Sequence, residues 1–466
     1  MSASVLLQLA SAAAPLVMWF VPPPDGLALE AWRLFAIFAA AIFSVIVGAF
    51  PLLTASVLAL AASVLSGLVS PEKAYAGFAN GTILLIVLAF LVARSVVTCG
   101  LGGRIGQMMV ARFGRSTLGL SYSVLLVDGV IAPAFPSNTA RSGVIFPLAL
   151  SLADVVGARE GKLPRLGSFL MFSGIASLSL SSGLWLTAMA ANPIGAEIAR
   201  GFGVDIGFGS WLLAASVPTL LAMALMPPLL FWILAPELKS TPEAPAAARR
   251  ALAQLGPLTR NERIVLATFV GMVGLWGAAA TLGIDSTAVA FLGLGVLLVT
   301  GALTAGDIAK QGDVLATFLW FEVLFTLSSQ LNELGFMSFA GQRLAGRLAG
   351  WAPAAAGLSL IVIYVLLHYI FVSQTAHLLA LFGIFMDVGV KLGVNPALLA
   401  YQLLFATNYF SAITPQGSSA NLLFAESGFL SQRDLYRLGL ITTAFNVVLY
   451  VIVGMPWLML VASGRQ

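Results

Sequence analysis

The sequence predicts an all-α polytopic membrane protein. It should have about 11 transmembrane helices and two re-entrant helical hairpins, arranged as inverted-topology repeats. Three observations lead there. Hydrophobic residues make up 59% of the 466 and charged residues only 9%. Apolar stretches of helical length recur along the whole chain, and three polar motifs return in the same order in its second half. An ordinary soluble domain carries about 25% charged residues. This composition therefore excludes a soluble enzyme, a nucleic-acid binder and a disordered chain.

Taken in order, the first apolar stretch, 5–21, follows the uncharged Met1-Ser2-Ala3-Ser4. It lacks the basic start of a cleaved signal peptide and reads as a spanning helix. Further helices are expected at 31–49, 52–70, 81–99, 168–190, 210–235, 263–282, 286–303, 313–334, 396–412 and 437–462. Two stretches, 117–150 and 354–388, are too long for one helix, and polar residues interrupt each in the middle. The one soluble-looking linker, 236–262, holds Pro242, Pro245, Arg249 and Arg250. The expected organisation is an N-terminal helix over 1–30, a first repeat over 31–235, the linker over 236–262 and a second repeat over 263–466.

The repeat rests on three matches. GLGGRIGQMMVAR from Gly100 to Arg112 aligns with GFMSFAGQRLAGR from Gly335 to Arg347 at an offset of 235. Ser137-Asn138-Thr139-Ala140-Arg141 aligns with Ser373-Gln374-Thr375-Ala376-His377 at 236. Ala191-Asn192, with Glu197 beyond it, aligns with Ala420-Asn421 and Glu426 at 229. If 117–150 enters and leaves on one side, five spans separate the starts of the halves. Five is odd, so the second half is inverted, a signature of secondary transporters. Sorting Lys and Arg by loop puts 14 on the side of the linker and 7 on the other. By the positive-inside rule the linker and N-terminus are cytoplasmic and the C-terminus external, in a bacterial-type inner membrane. The net charge of +4 is this topology signal and not a mark of nucleic-acid binding.

Irregular backbone at membrane depth is tolerated only where protein or a cavity surrounds it. In the first break, Pro133 and Pro136 stop a helix and Ser137-Asn138-Thr139 are capping types for the next. Phe371-Val372-Ser373-Gln374-Thr375 breaks the second stretch. A helix N-terminus offers free N–H groups and partial positive charge, which suit a carboxylate. Serine and threonine also serve packing and back-bonding in membrane helices, but a matched pair in a duplicated chain favours a binding site. Loops at Ser177–Gly183 and Ser411–Ser419 loosen two further helices. Asn192 and Asn421 follow them as borders of the site or as helix caps. Cys99 is the one cysteine and there are two histidines, so no disulfide, thiolate metal centre or haem is expected.

The paired Ser137-Asn138-Thr139 and Ser373-Gln374-Thr375 motifs, with the Thr414-Pro415 loop, resemble the signatures of the divalent anion:sodium symporter family. The resemblance covers nearly the whole chain. Two departures are Gln374 in place of Asn, and the lack of an immediate Pro-Asn after Thr414-Pro415. The resemblance implies an elevator-type carrier of di- or tricarboxylates, usually a homodimer, that binds substrate between its hairpin tips. By position, Ser137, Asn138, Thr139, Ser373, Gln374 and Thr375 would hold the carboxylates, and Thr414 and Pro415 would border them. The segments 100–112 and 335–347 resemble the family's interfacial arms.

The family contains both sodium symporters and exchangers. Four residues after each motif serine, one helical turn along, stands Arg141 or His377. A charge buried in a membrane is expensive and is usually functional. Arg141 and His377 are therefore expected to supply fixed positive charge where symporters bind Na⁺, and the carrier to exchange one dicarboxylate for another. The alternatives are that Arg141 snorkels to the surface or pairs with Asp128, and that the protein is a Na⁺-coupled di- or tricarboxylate or sulfate symporter. Apart from that Na⁺ no cofactor is expected. Ser373 and His377 could form a hydrolase dyad, but no oxyanion motif accompanies them and that reading leaves the repeat unexplained. A sodium/proton antiporter or arsenite-type permease would favour buried carboxylates at the tips, which have none. Met189 and Gln416 are candidates for setting substrate size.

Overall fold

The computed structural model describes residues 17–158 and 162–463. The helix expected over 5–21 lies, except for its last turn, outside the described residues, as do Arg159 and Arg465 of the charge count. Among the described residues the secondary structure is helical, apart from one isolated bridge between Ser116 and Ser240. Nine of the described helices are long and apolar enough to cross a bilayer, and Leu52–Leu65 and Ser286–Thr300 are shorter apolar helices. Both long apolar stretches break where the prolines and polar residues predict. Thr117–Ile131 and Asn138–Val155 form the first hairpin, and Pro353–Leu367 and Gln374–Lys391 the second. The linker is more ordered than its composition suggests. It contains a 13-residue helix, Glu243–Leu255, laid on Leu101–Phe113.

The chain forms two compact units, and each draws on both halves of the sequence. One comprises residues 1–87, 194–205 and 310–403. At its centre Gly312–Glu333 packs on Leu29–Ile46, Leu52–Leu65, Pro71–Ala76, Phe336–Arg347 and Gln374–Lys391. Phe35 stacks on Phe336 at 4.1 Å between centroids, a contact beyond simple burial. Gly341 leaves room for the Asp387 carboxylate, which a Cβ there would meet.

The other unit comprises 88–193, 206–309 and 404–466. Its core helix, Pro164–Leu184, runs unbroken through Ser177–Gly183, where the polar run suggested loosening, and every residue from Leu166 onwards is buried. A helix with five serines in ten residues tolerates this because each hydroxyl has a partner. Ser173, Ser179, Ser181 and Ser182 donate to the carbonyl four residues back, and Ser177 to the one three back. The helix packs against Thr117–Ile131, Asn138–Val155 and Phe208–Leu234. Gly174 makes room for the Phe424 ring. The linker helix is tied down by Arg104, whose guanidinium meets Glu262 at 2.6 Å and donates to the carbonyl of Gly256 at 2.8 Å. A cation over helix-terminal carbonyls is a favourable C-terminal cap.

Candidate functional site

Ser137 takes an extended conformation, φ −152° and ψ 127°, and its Oγ accepts from the Ala140 N–H at 3.3 Å. It therefore caps the second half-helix of the first hairpin, as a serine after a proline break should. Ser373 repeats this with φ −142°, ψ 126° and an Ala376 N–H at 3.3 Å. A 3-10 turn precedes each cap, at Ala132–Ala134 and His368–Ile370.

The duplicated asparagines match as closely. Asn192 Nδ2 donates to the carbonyls of Ser182 (2.9 Å) and Trp185 (3.3 Å). Asn421 Nδ2 donates to those of Ser411 (2.7 Å) and Thr414 (3.1 Å). In both cases the acceptors lie ten and seven residues back. Each amide staples a broken helix shut by bridging two carbonyls across the break. Both asparagines are buried, and their amide nitrogens are spent on this staple.

The first tip lies among these breaks within its own unit. Pro136 accepts from the Ala190 N–H at 2.9 Å, and Thr187 donates to the Pro133 carbonyl at 2.9 Å. Thr139 is exposed at the tip, its Oγ1 2.5 Å from the hydroxyl of Ser419, just beyond the Thr414-Pro415 loop. Ser179 joins Ser411 at 2.7 Å. Thr414 Oγ1 is buried and has no hydrogen-bond partner among the described residues. Pro415 opens a 3-10 turn there.

Arg141 is fully buried. Its Nη1 lies 2.9 Å from Asp128 Oδ1, also fully buried, and contacts Ser181. Its Nη2 lies 2.5 Å from Asn138 Oδ1, contacts Ser182 and reaches the Leu178 carbonyl at 3.2 Å. Of the alternatives, the pairing with Asp128 holds: the charge is balanced, and the guanidinium does not snorkel. It fills a ring of oxygen donors from three helices, of the kind that suits a small hard cation. Ser182 Oγ also lies 2.6 Å from Asn138 Oδ1, and Met189 Sδ is 4.0 Å from Asn138 Nδ2.

The second tip lies in the other unit. Gln374 and Thr375 are buried there, and His377 is enclosed by the rings of Tyr364 (4.3 Å), Phe371 (4.9 Å) and His368 (5.3 Å). The structure thus brings Ser137, Asn138, Thr139, Arg141, Asn192, Thr414, Pro415 and Asn421 into one unit. Ser373, Gln374, Thr375 and His377 belong to the other. Sequence reasoning missed Ser419. Its hydroxyl partner is visible only once the chain is folded, because 280 residues separate it from Thr139.

Helical hairpins broken at polar tips, among many spanning helices, are the architecture of secondary transporters. The chain belongs to the divalent anion:sodium symporter family: the family described as "sodium:sulfate symporter transmembrane region" matches residues 2–463. Among its relatives, YflS of Bacillus subtilis, named as a candidate malate transporter, is 38% identical over 453 residues, spanning 96% of this chain and 95% of that protein. The chloroplastic dicarboxylate transporter 1 of Arabidopsis thaliana is 37% identical over 456 residues, 96% of this chain and 82% of the relative. The fold is similar to that of the YdaH transporter of Alcanivorax borkumensis, with a TM-score of 0.59 at 16% identity, over 98% of this chain and 97% of the other.

Proposed function

We propose that this protein is a sodium-independent dicarboxylate exchanger. The observation that carries the reading is the occupancy of the oxygen ring beneath the first tip by the Arg141 guanidinium. Where a symporter would bind Na⁺, this chain holds a tethered cation. Arginine does not lose its proton in proteins, so it neither leaves with substrate nor returns from the other side. Because Asp128 balances it, the argument rests on occupancy and not on net charge. Exchange then follows from desolvation. The helix N-termini at the tips carry partial positive charge, and crossing the bilayer with that charge unmatched costs more than crossing with a bound dianion.

Dicarboxylates as substrate are supported by the names of the relatives and by the carboxylate-suited tips at Ser137–Thr139 and Ser373–Thr375. We assign Thr414 and Pro415 to the border of the site, and Arg141 and His377 to the place of sodium. Inverted repeats, an elevator motion, a homodimer and a cytoplasmic N-terminus complete the proposal. The matched local geometry at Ser137 and Ser373, and at Asn192 and Asn421, supports the duplication.

Proteoliposomes test it. Uptake of labelled malate should be stimulated by internal dicarboxylate and be indifferent to Na⁺. Uptake that needs a Na⁺ gradient and shows no trans-stimulation overturns it.

A further inference from the structure

Glu322 is fully buried in the middle of Gly312–Glu333, a helix of spanning length and composition. It takes no part in the tips or the broken loops. Its Oε1 accepts one hydrogen bond, from Thr326 Oγ1 at 2.9 Å, and its Oε2 has no partner among the described residues. Phe318, Glu322 and Thr326 stand one turn apart on one face of the helix. That face receives the corner at Gly77-Phe78. The Phe78 and Phe318 rings meet edge to face at 5.4 Å, and a Cβ on Gly77 would collide with the Glu322 carboxyl and the Thr326 hydroxyl.

Among the described residues no cation forms an ion pair with this carboxyl. On the helix itself, Asp313 is exposed and Glu333 is paired with Lys73 at 2.5 Å. From the neighbouring elements, Glu30, Glu72, Tyr75 and Arg347 are exposed. Arg33 lies over the Trp19 ring, Arg343 over Phe339, and Asp387 is paired with Lys391. His377 stands among the rings of the second tip. Leu52–Leu65 and Gly77–Ala79 carry no ionisable side chain. An ionised carboxylate enclosed in this way, with one hydroxyl donor, would cost several kcal/mol. The neutral acid costs far less. The turn just before Gly77, Pro71–Ala76, carries the exposed Glu72 and Lys73, so a polar rim adjoins the site.

We propose that Glu322 is a proton-binding site and that transport requires it to be loaded. Loading takes one proton from water onto the carboxylate; unloading returns it to water and leaves a charge against Gly77. The corner at Gly77-Phe78 then cannot keep its close approach, and the helix loses a packing partner.

The test is uptake of fumarate, doubly ionised throughout, in proteoliposomes from about pH 6 to about pH 9. Wild-type uptake should fall on the alkaline side by about one decade per pH unit, as for one essential proton. Glu322→Gln, whose amide mimics the neutral acid, should hold the acid-side rate across the range. Superimposable profiles overturn the proposal. If that variant does not fold, Thr326→Val removes the hydroxyl that favours the ionised form, and the alkaline fall should move to higher pH; an unmoved fall overturns the proposal. Infrared spectroscopy of the wild type at neutral pH should show a carboxylic-acid C=O band that bleaches on alkalinisation, and its absence is equally fatal. Each comparison holds whether the carrier exchanges or symports. The infrared result stands even if fumarate is not carried, so failure here is distinguishable from failure of the exchanger reading.

Discussion

Arg141 Nη1 lies 2.9 Å from Asp128 Oδ1, with neither side chain reaching solvent. Removing one partner of a buried pair leaves the other charge uncompensated, typically at about 3–5 kcal/mol. Asp128→Asn and Arg141→Gln should each strongly lower thermal stability in detergent. The double variant should recover much of that loss, because no bare charge remains. It should nonetheless fail to exchange dicarboxylate, since the tethered cation is gone. A double variant that is both stable and active would show the pair to be structural only.

The hydroxyls of Thr139 and Ser419 form a second testable pair. Thr139→Ala and Ser419→Ala should each weaken substrate binding, by about fivefold for the loss of one hydrogen bond near 1 kcal/mol. Because the two residues touch, the effects should not add. Scintillation proximity binding of a labelled dicarboxylate to the two singles and the double checks this.

Asn192 and Asn421 each donate to two carbonyls of a broken helix. Replacement by alanine should cost about 1–3 kcal/mol at either site, read as a lowered unfolding temperature. Aspartate should be worse than alanine, since it offers only oxygens to carbonyl oxygens. Equal tolerance of aspartate would refute the staple.

Gly439 gives way to the backbone carbonyls of Ala412 and Ile413, and a Cβ there would meet the Ala412 carbonyl oxygen. Backbone cannot swing aside as a flexible side chain can, so Gly439→Ala should cost at least about 1–3 kcal/mol. Gly271→Ala, with no heavy atom within 4 Å of the added methyl, is the matched control and should be neutral or stabilising.

Arg104 joins Glu262 and the end of Glu243–Leu255. Arg104→Ala should leave the helix uncapped and Glu262 unpaired, and limited proteolysis should cut near 255–258 several times faster. Unchanged cleavage would show that the linker is held by other contacts.

The helix starts at both tips were legible before folding. Capping chemistry is local, so Pro136-Ser137 and Val372-Ser373 announced their helix starts, and the return of one tripeptide at a regular offset marked both tips. The pairing of Arg141 with Asp128 was one of two open possibilities, because 13 residues of separation do not settle whether an arginine turns inward or reaches for the surface. Ser419 was not legible as a partner of Thr139, because nothing local distinguishes it from Ser418. Glu322 looked like any of the 19 acids; its significance lies in the cation that its neighbours withhold.

By itself the sequence determined that the chain lives in a membrane, where its helices break and which polar groups those breaks expose. Those outcomes follow from desolvation and from local backbone chemistry, which act within a turn or two of a residue. The tertiary structure decided which charges are compensated, which hydroxyls meet and which carboxyl is left alone. In a medium without water each buried polar group must find its partner in another helix, and that choice depends on packing across the whole unit.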